Sequence, residues 1–207
     1  MTRVGITGNI GSGKSIIAKA FGVLGIPVYY ADIQAAILMS TNAEIISGLK
    51  KIFGDDIYDE HQLLNRKKIS ELLFNNDHYR KAVNALVHPV VAKDFEEWFS
   101  YQNAPYILKE AALLFESGSN TQLDKIICVV APLELRINRV MHRDERSEEQ
   151  IRAIDSKQMS EGEKTKLSDY LIYNDETMPV LPQVLNIHKK MLEFKLAQSS
   201  KSMMSDF

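Results

Sequence analysis

A chain of 207 residues with 45% apolar residues, 25% charged residues and a formal net charge of −2 suits one domain with a sizeable core. It excludes a strongly basic protein whose main partner is nucleic acid, and its single cysteine, Cys128, excludes a disulfide scaffold within one chain. An N-terminus that runs straight into an apolar segment, with no apolar stretch of spanning length behind it, is expected of a cytoplasmic protein without a membrane partner. A monomer or small homo-oligomer is expected, though nothing in the residues sets the number of copies.

The run Val4-Gly5-Ile6-Thr7 is predicted as the first strand. Directly behind it stands Gly8-Asn9-Ile10-Gly11-Ser12-Gly13-Lys14-Ser15, which has the spacing of a phosphate-binding loop, and a helical pattern opening at Ile16 follows. In such a loop successive backbone N–H groups point at phosphate oxygens, the Lys reaches the β/γ-phosphates and the Ser hydroxyl ligates Mg²⁺. The helix adds the positive end of its dipole. It is predicted to stop near Gly22 to Gly25, because Gly25-Ile26-Pro27 breaks it. Residues 27–31 read as a second strand finishing on Asp32, and a carboxylate at a strand end close to the phosphate loop lies where an open α/β sheet places its ligand.

From residue 33 to about 100 the pattern contains no strand, only helical segments at 43–53, 67–74, 79–87 and 89–100. This is more than a plain crossover needs, and points to an inserted substrate-binding region. Residues 105–108 are the third strand, with Glu110 at its end and Leu113-Leu114-Phe115-Glu116 just beyond. The fourth, 124–130, is rich in Ile and Val, as suits a strand buried on both faces, with Cys128 as a buried thiol. A helix at 133–142 carries Arg136 and Arg139 and leads into Arg143. The charged stretch 143–166 fits an exposed helical hairpin. A fifth strand at 169–173 ends at Asn174, a closing helix spans 181–196, and the polar tail at 198–205 is expected to fray. Strands alternating with helices give an α/β fold with a parallel sheet and right-handed crossovers.

The loop alone leaves a kinase, a GTPase, a motor or a regulatory nucleotide binder open. The chain contains no Asn/Thr-Lys-x-Asp guanine reader and no Leu-Ser-Gly-Gly-Gln segment, and a compact core with a helical insert and an Arg-rich helix pair is the layout of a small-molecule kinase. At single residues two readings stand side by side. Asp32 is either the acceptor-side base or the cap of the next helix. Arg139 and Arg143, four apart on one helix face, either converge on phosphate or are solvated and matched by acids such as Asp144. Glu110 is placed to hold a Mg²⁺ shell through water. Arg66 reaches a substrate phosphate or solvates its helix. His88-Pro89 is a structured helix start or a substrate contact, and Asn174 is a turn residue or an adenine contact.

Taken in order and spacing, the loop from Thr7 to Ser15, Leu24-Gly25, Ala31-Asp32, Phe53-Gly54, Leu64-Asn65-Arg66, His88-Pro89, Leu113 to Glu116, Arg139 to Arg143, Gln158 and Ile172-Tyr173-Asn174 resemble the dephospho-coenzyme A kinase family over nearly the whole chain. The resemblance implies ATP-dependent phosphorylation of the ribose 3′-hydroxyl of dephospho-coenzyme A. It also implies a three-layer fold around a five-stranded parallel sheet of the phosphate-loop kinase type, with core 1–32, 101–138 and 168–207, a helical substrate domain at 33–100 and a helical lid at 139–167. By the same resemblance Lys14, Asp32 and Arg143 are catalytic, and Gly8 to Ile16 with Arg139, Arg143 and Asn174 bind ATP. Asp32, Arg66, His88, Leu113 and Glu116 bind the substrate, and Ser15, with Glu110 through water, binds Mg²⁺. Four positions depart from the family pattern: Tyr30 stands where a second Asp is usual, Ile16 for Thr, Ala112 for Pro and Asn9 for Gly. Ile16 keeps its backbone N–H, so the phosphate cradle is expected to survive, while Tyr30 removes a charge near the metal or acceptor.

Overall fold

Short runs of β-branched and aromatic residues form β1 (Thr2–Thr7), β2 (Val28–Tyr30), β3 (Tyr106–Glu110), β4 (Lys125–Val130) and β5 (Tyr170–Tyr173). They make one parallel sheet in the order β2-β3-β1-β4-β5. The computed structural model describes residues 1–61, 63–74, 76–144 and 146–205, with all their side chains except those of Arg66, Phe74 and residues 196–205. Register sets Ile6 and Tyr30 beside Glu110, and Thr7 beside Cys128. The carboxyl ends of the strands therefore gather where the glycine-rich loop begins, the ligand end of such a sheet.

Alternation along the strands sends Val4, Ile6, Tyr106, Leu108, Ile127, Val129 and Ile172 to one face. There they meet Ile17, Ala18 and Phe21 of α1 (Lys14–Val23) and Val184, Ile187 and Met191 of α9 (Val180–Ser205). Each large apolar side chain buried this way contributes about 1.5–3 kcal/mol. On the opposite face Gly5 lies under Leu114 and Leu123, where a Cβ would come within 2.6 Å of Leu123 and 2.8 Å of Leu114. The turn after β3 thus packs directly on the sheet. Cys128 is fully buried on this same face, as expected, and burial pushes its thiol up to about 11. The edge strand β5 is closed by Gln183 of α9. Its Oε1 accepts from Tyr173 N–H at 2.8 Å, and its Nε2 donates to Tyr173 O at 2.9 Å. The core layers are completed by α6 (Leu133–Asp144), α7 (Glu148–Asp155) and α8 (Glu161–Lys166).

Residues Ala31–Ser100 form a second compact unit, separate from Met1–Tyr30 and the chain from Tyr101 onward. It contains α2 (Ala31–Thr41), α3 (Ala43–Phe53), α4 (Arg66–Phe74) and α5 (Asp77–Ser100). Its core holds Ile45, Leu49, Ile57, Val83 and Val87. Asn42 caps α3 by accepting from Ile45 N–H at 3.1 Å, and Asn65 accepts from Lys68 N–H at 3.0 Å in the first turn of α4. Tyr58 OH donates to Met39 O at 2.6 Å and ties the intervening loop to α2.

Four expectations need correction. β2 stops at Tyr30, and Asp32 lies not at a strand end but in the first turn of α2, a helix that the pattern did not announce. The segments at 79–87 and 89–100 are one helix with Pro89 inside it, so His88-Pro89 is not a helix start. Proline removes only its own bond, to the carbonyl of Ala85, while Val83, Val87, Val91 and Phe95 bury a stripe at four-residue spacing that holds the helix together. The closing helix runs on to Ser205, since no glycine or proline follows Pro182 in its first turn, so the tail described to that point is helical. Finally, the charged stretch after Arg143 is not wholly exposed: Ile151 and Lys164 are fully buried. Among the described residues no helix is long and apolar enough to cross a membrane.

Candidate phosphate-binding site

Between the end of β1 and the start of α1 the chain turns back on itself, with Ser12 N–H donating to Asn9 O at 3.0 Å. Gly11 and Gly13 have φ of 78° and 90°, in the left-handed region. A Cβ at Gly11 would strike the main chain of Arg136, and one at Gly13 the amide of Asn174, so both positions need glycine for conformation and for space. Among the described residues no side chain caps α1 at Gly13. A ten-residue helix thus offers its first-turn amides, with the positive end of its dipole, to an anion.

Glu110, only 3% exposed, gathers the chemistry at the end of β3. Ser15 Oγ donates to Glu110 Oε1 at 3.0 Å, and Lys14 Nζ lies 3.6 Å from the same oxygen. A hydroxyl and a carboxylate are hard oxygen donors, the set that Mg²⁺ takes when phosphates and water complete its shell, so these two residues fit that ion. Tyr30, on the neighbouring strand, has its phenol pushed up from the ordinary value by burial and, next, by the Glu110 charge. It stays neutral at physiological pH, which leaves Glu110 without a second acid at that position.

A set of residues outside the sequence-derived list holds the loop from behind. Arg136 is 4% exposed. Its Nε donates to Ala131 O at 2.9 Å, and its Nη1 donates to Ile10 O at 3.2 Å and Asp155 Oδ1 at 2.5 Å. Asn9 Nδ2 donates to Asp155 Oδ1 at 3.1 Å and Met159 O at 3.3 Å, and Ile10 N–H donates to Gln158 Oε1 at 2.8 Å. The segment that supplies these partners is itself anchored. Glu116 accepts from Met159 N–H at 2.8 Å and lies 3.1 Å from Lys164 Nζ, which donates to Ala112 O at 2.9 Å. Glu161 Oε2 accepts from Ala131 N–H at 3.1 Å. Arg136 was visible as a charge on the otherwise apolar stripe of α6, beside Ile137 and Val140, whereas nothing local distinguishes Lys164.

On the other flank Asn174 Nδ2 donates to Ser12 O at 2.8 Å. Arg139 Nη2 donates to Asn174 O at 3.0 Å and to Glu176 Oε1 at 3.1 Å, while its buried Nη1 has no hydrogen-bond partner among the described residues. Arg143 stands apart from this group. It is 65% exposed and forked onto Asp144, with Nε to Oδ1 at 2.6 Å and Nη2 to Oδ2 at 2.7 Å. The bond to Asp144 raises the guanidinium, and the reverse holds the Asp144 carboxyl below its usual range.

The structure therefore brings together Gly8 to Ser15, Glu110, Asn174 and Arg139. Leu113 is half-buried in the turn after β3, Glu116 faces Met159 and Lys164, and Ile16 is 74% exposed on α1. Asp32, Arg66 and His88 belong to the helical unit. Asp32 is exposed on α2, two residues along the chain from Tyr30, and His88 is half-buried in α5. Arg66 opens α4, and its side chain lies outside the described residues.

A family model described as dephospho-CoA kinase matches residues 2–179. A dephospho-CoA kinase of Bacteroides fragilis (strain YCH46) is 36% identical over 186 residues, 89% of this chain and 90% of its own. One of Legionella pneumophila (strain Philadelphia 1) is 36% identical over 197 residues, 94% of this chain and 98% of its own. Among solved structures, a Thermus thermophilus protein superposes with a TM-score of 0.82 at 34% identity, covering 92% of this chain and 97% of its own. Dephospho-CoA kinase from Campylobacter jejuni gives 0.67 at 26% identity, with 92% and 97% covered. A shikimate kinase from Acinetobacter baumannii, at 0.55 and 14% identity over 95% and 96% of the two chains, shares the fold alone.

Proposed function

The chain belongs to the dephospho-CoA kinase family, and from that premise we propose which of its residues carry the reaction. The family transfers a phosphoryl group from ATP to the ribose 3′-hydroxyl of dephospho-CoA, the last step of coenzyme A biosynthesis. The work of such an enzyme is positioning and charge neutralisation. Lys14 and the first amides of α1 hold the ATP phosphates. The observation that carries this reading is the convergence of Ser15 and Lys14 on one oxygen of buried Glu110. Ser15 directly, and Glu110 through water, would hold Mg²⁺, which when bound supplies neutralising charge to the phosphates.

Asp32 orients the 3′-hydroxyl and accepts its proton. Asn174 serves the adenine end of ATP and Arg139 its phosphates. Arg143 closes on the phosphates, and leaving Asp144 costs it little, because exposed ion pairs are worth about 0–1 kcal/mol. Arg66, His88 and Leu113 serve the substrate side, residues 33–100 being its domain and 139–167 the lid. Glu116 acts there through the segment it anchors, since its carboxylate is engaged by Met159 and Lys164. We assign the enzyme to the cytoplasm as a monomer or small homo-oligomer, with no nucleic-acid or membrane partner. ADP release with dephospho-CoA, titrated with Mg²⁺, tests the metal assignment. Turnover should vanish without the ion, and Glu110→Gln should raise the Mg²⁺ concentration needed for half-maximal rate. An unchanged Mg²⁺ requirement in that variant refutes the role of Glu110.

A further inference from the structure

We propose that the turn at 155–159 is a clamp on the first half of the phosphate loop, with Gln158 as a positioning residue for ATP. The proposal rests on the reading of that loop as the ATP site. Both polar groups of the Ile10 backbone are taken by side chains from outside the loop: its N–H donates to Gln158 Oε1 at 2.8 Å, and its O accepts from Arg136 Nη1 at 3.2 Å. Asn9, 2% exposed, sends its amide to Asp155 Oδ1 and Met159 O, and Asp155 is shared with Arg136. A glycine at position 9 could make neither bond. Gln158 is one of the residues through which the chain resembles its family, yet none of the reaction chemistry uses it.

The need for a clamp follows from composition. Gly8, Gly11 and Gly13 leave the loop with more backbone freedom than any other short stretch of the protein, and that freedom must be given up when phosphate binds. Fixing Ile10 beforehand removes part of that cost from ATP binding, which appears as affinity. The clamp has a fixed base, because Met159 N–H and Lys164 both end on Glu116, in the turn that follows β3. Loop position is thereby referred to the sheet through side chains, in addition to the covalent path through β1.

Gln158→Leu keeps the volume of the side chain and deletes the acceptor. Leaving the half-buried Ile10 N–H unpaired should raise the KM for ATP about tenfold. kcat and the KM for dephospho-CoA should stay within about twofold, a split that general destabilisation would not produce. Amide exchange should quicken in residues 8–13 and not in β1 or β4. Asn9→Ala, which removes the two donors on the other side, should raise the KM for ATP about threefold, and the double variant should fall short of the product of the two effects. If Gln158→Leu does not fold, faster amide exchange of residues 8–13 in Asn9→Ala without ATP carries the same test. An ATP KM unchanged within about twofold, or a parallel rise for both substrates, overturns the clamp. Wild-type turnover on dephospho-CoA checks the underlying reading separately, since direct ATP titration and amide exchange report on the clamp without it.

Discussion

The two ends of the charged stretch from Arg143 to Lys166 use their charges in opposite ways. In the outer part Arg143 forks onto Asp144, and Arg152 reaches Glu134 at 2.8 Å and Glu148 at 2.7 Å, all on the surface. In the inner part Asp155 meets a nearly buried Arg136, and fully buried Lys164 donates to a main-chain oxygen and faces Glu116. Exposed pairs exchange partners cheaply, whereas a buried pair is costly to break because one charge is left stranded. The outer charges are therefore free to turn toward a ligand, and the inner ones fix the architecture that the ligand meets.

The largest effect should come from the inner side. Lys164→Met removes a buried donor from Ala112 O and one of the two partners of Glu116, and should cost about 1–3 kcal/mol in urea unfolding. A loss no greater than experimental error would erase the contrast. Cys128 reports the same event chemically. Burial, with Glu161 next, raises its thiol to about 11, so iodoacetamide should leave the native protein unlabelled at pH 8; Lys164 lowers the thiol, so faster labelling of the Lys164→Met variant would report opening of the fold and not a more acidic native thiol. Because the folded thiol titrates higher than an unfolded one, this group's contribution to stability falls as pH rises from its ordinary 9.0 toward about 11.

On the outer side, Arg143→Ala should lower kcat about 10- to 100-fold at saturating ATP while the unfolding midpoint stays where it was. A shifted midpoint with intact turnover would reverse its assignment. The smallest effect belongs to Asp144. Its carboxyl is held low chiefly by the bond to Arg143, so the stability this pair adds is present above the ordinary Asp value of 3.8 and is lost as pH falls through the lower folded value. The difference between wild type and Asp144→Asn should therefore shrink between pH 5 and pH 3, and a difference that grows on acidification contradicts the pairing.

What could be read in advance was whatever local pattern encodes. Glycine spacing between an apolar run and a helix located the phosphate loop, and Ile/Val runs located the strands. The helix at Ala31–Thr41 was missed because Ile33, Ala35, Ala36, Ile37, Leu38 and Met39 put apolar residues on all its sides, which leaves no helical period to detect. Pro89 split one helix into two on paper, because burial of Val87 and Val91 on either side of it is a tertiary fact. The clamp and its base were illegible for a related reason. Asp155 and Lys164 occur among residues that read as solvated surface, and their partners Asn9, Arg136 and Glu116 are far away in sequence. Gln158 was singled out only through the family resemblance, with no physical role attached.

Asp32, proposed as the acceptor-side base, is the residue on which the proposed reaction most directly depends. Single-turnover phosphorylation of dephospho-CoA by Asp32→Asn, with ATP affinity measured on the same preparation, decides it. The expected result is a rate lower by about 10²- to 10⁴-fold with ATP binding unchanged. A rate within about threefold of wild type would remove Asp32 from the reaction.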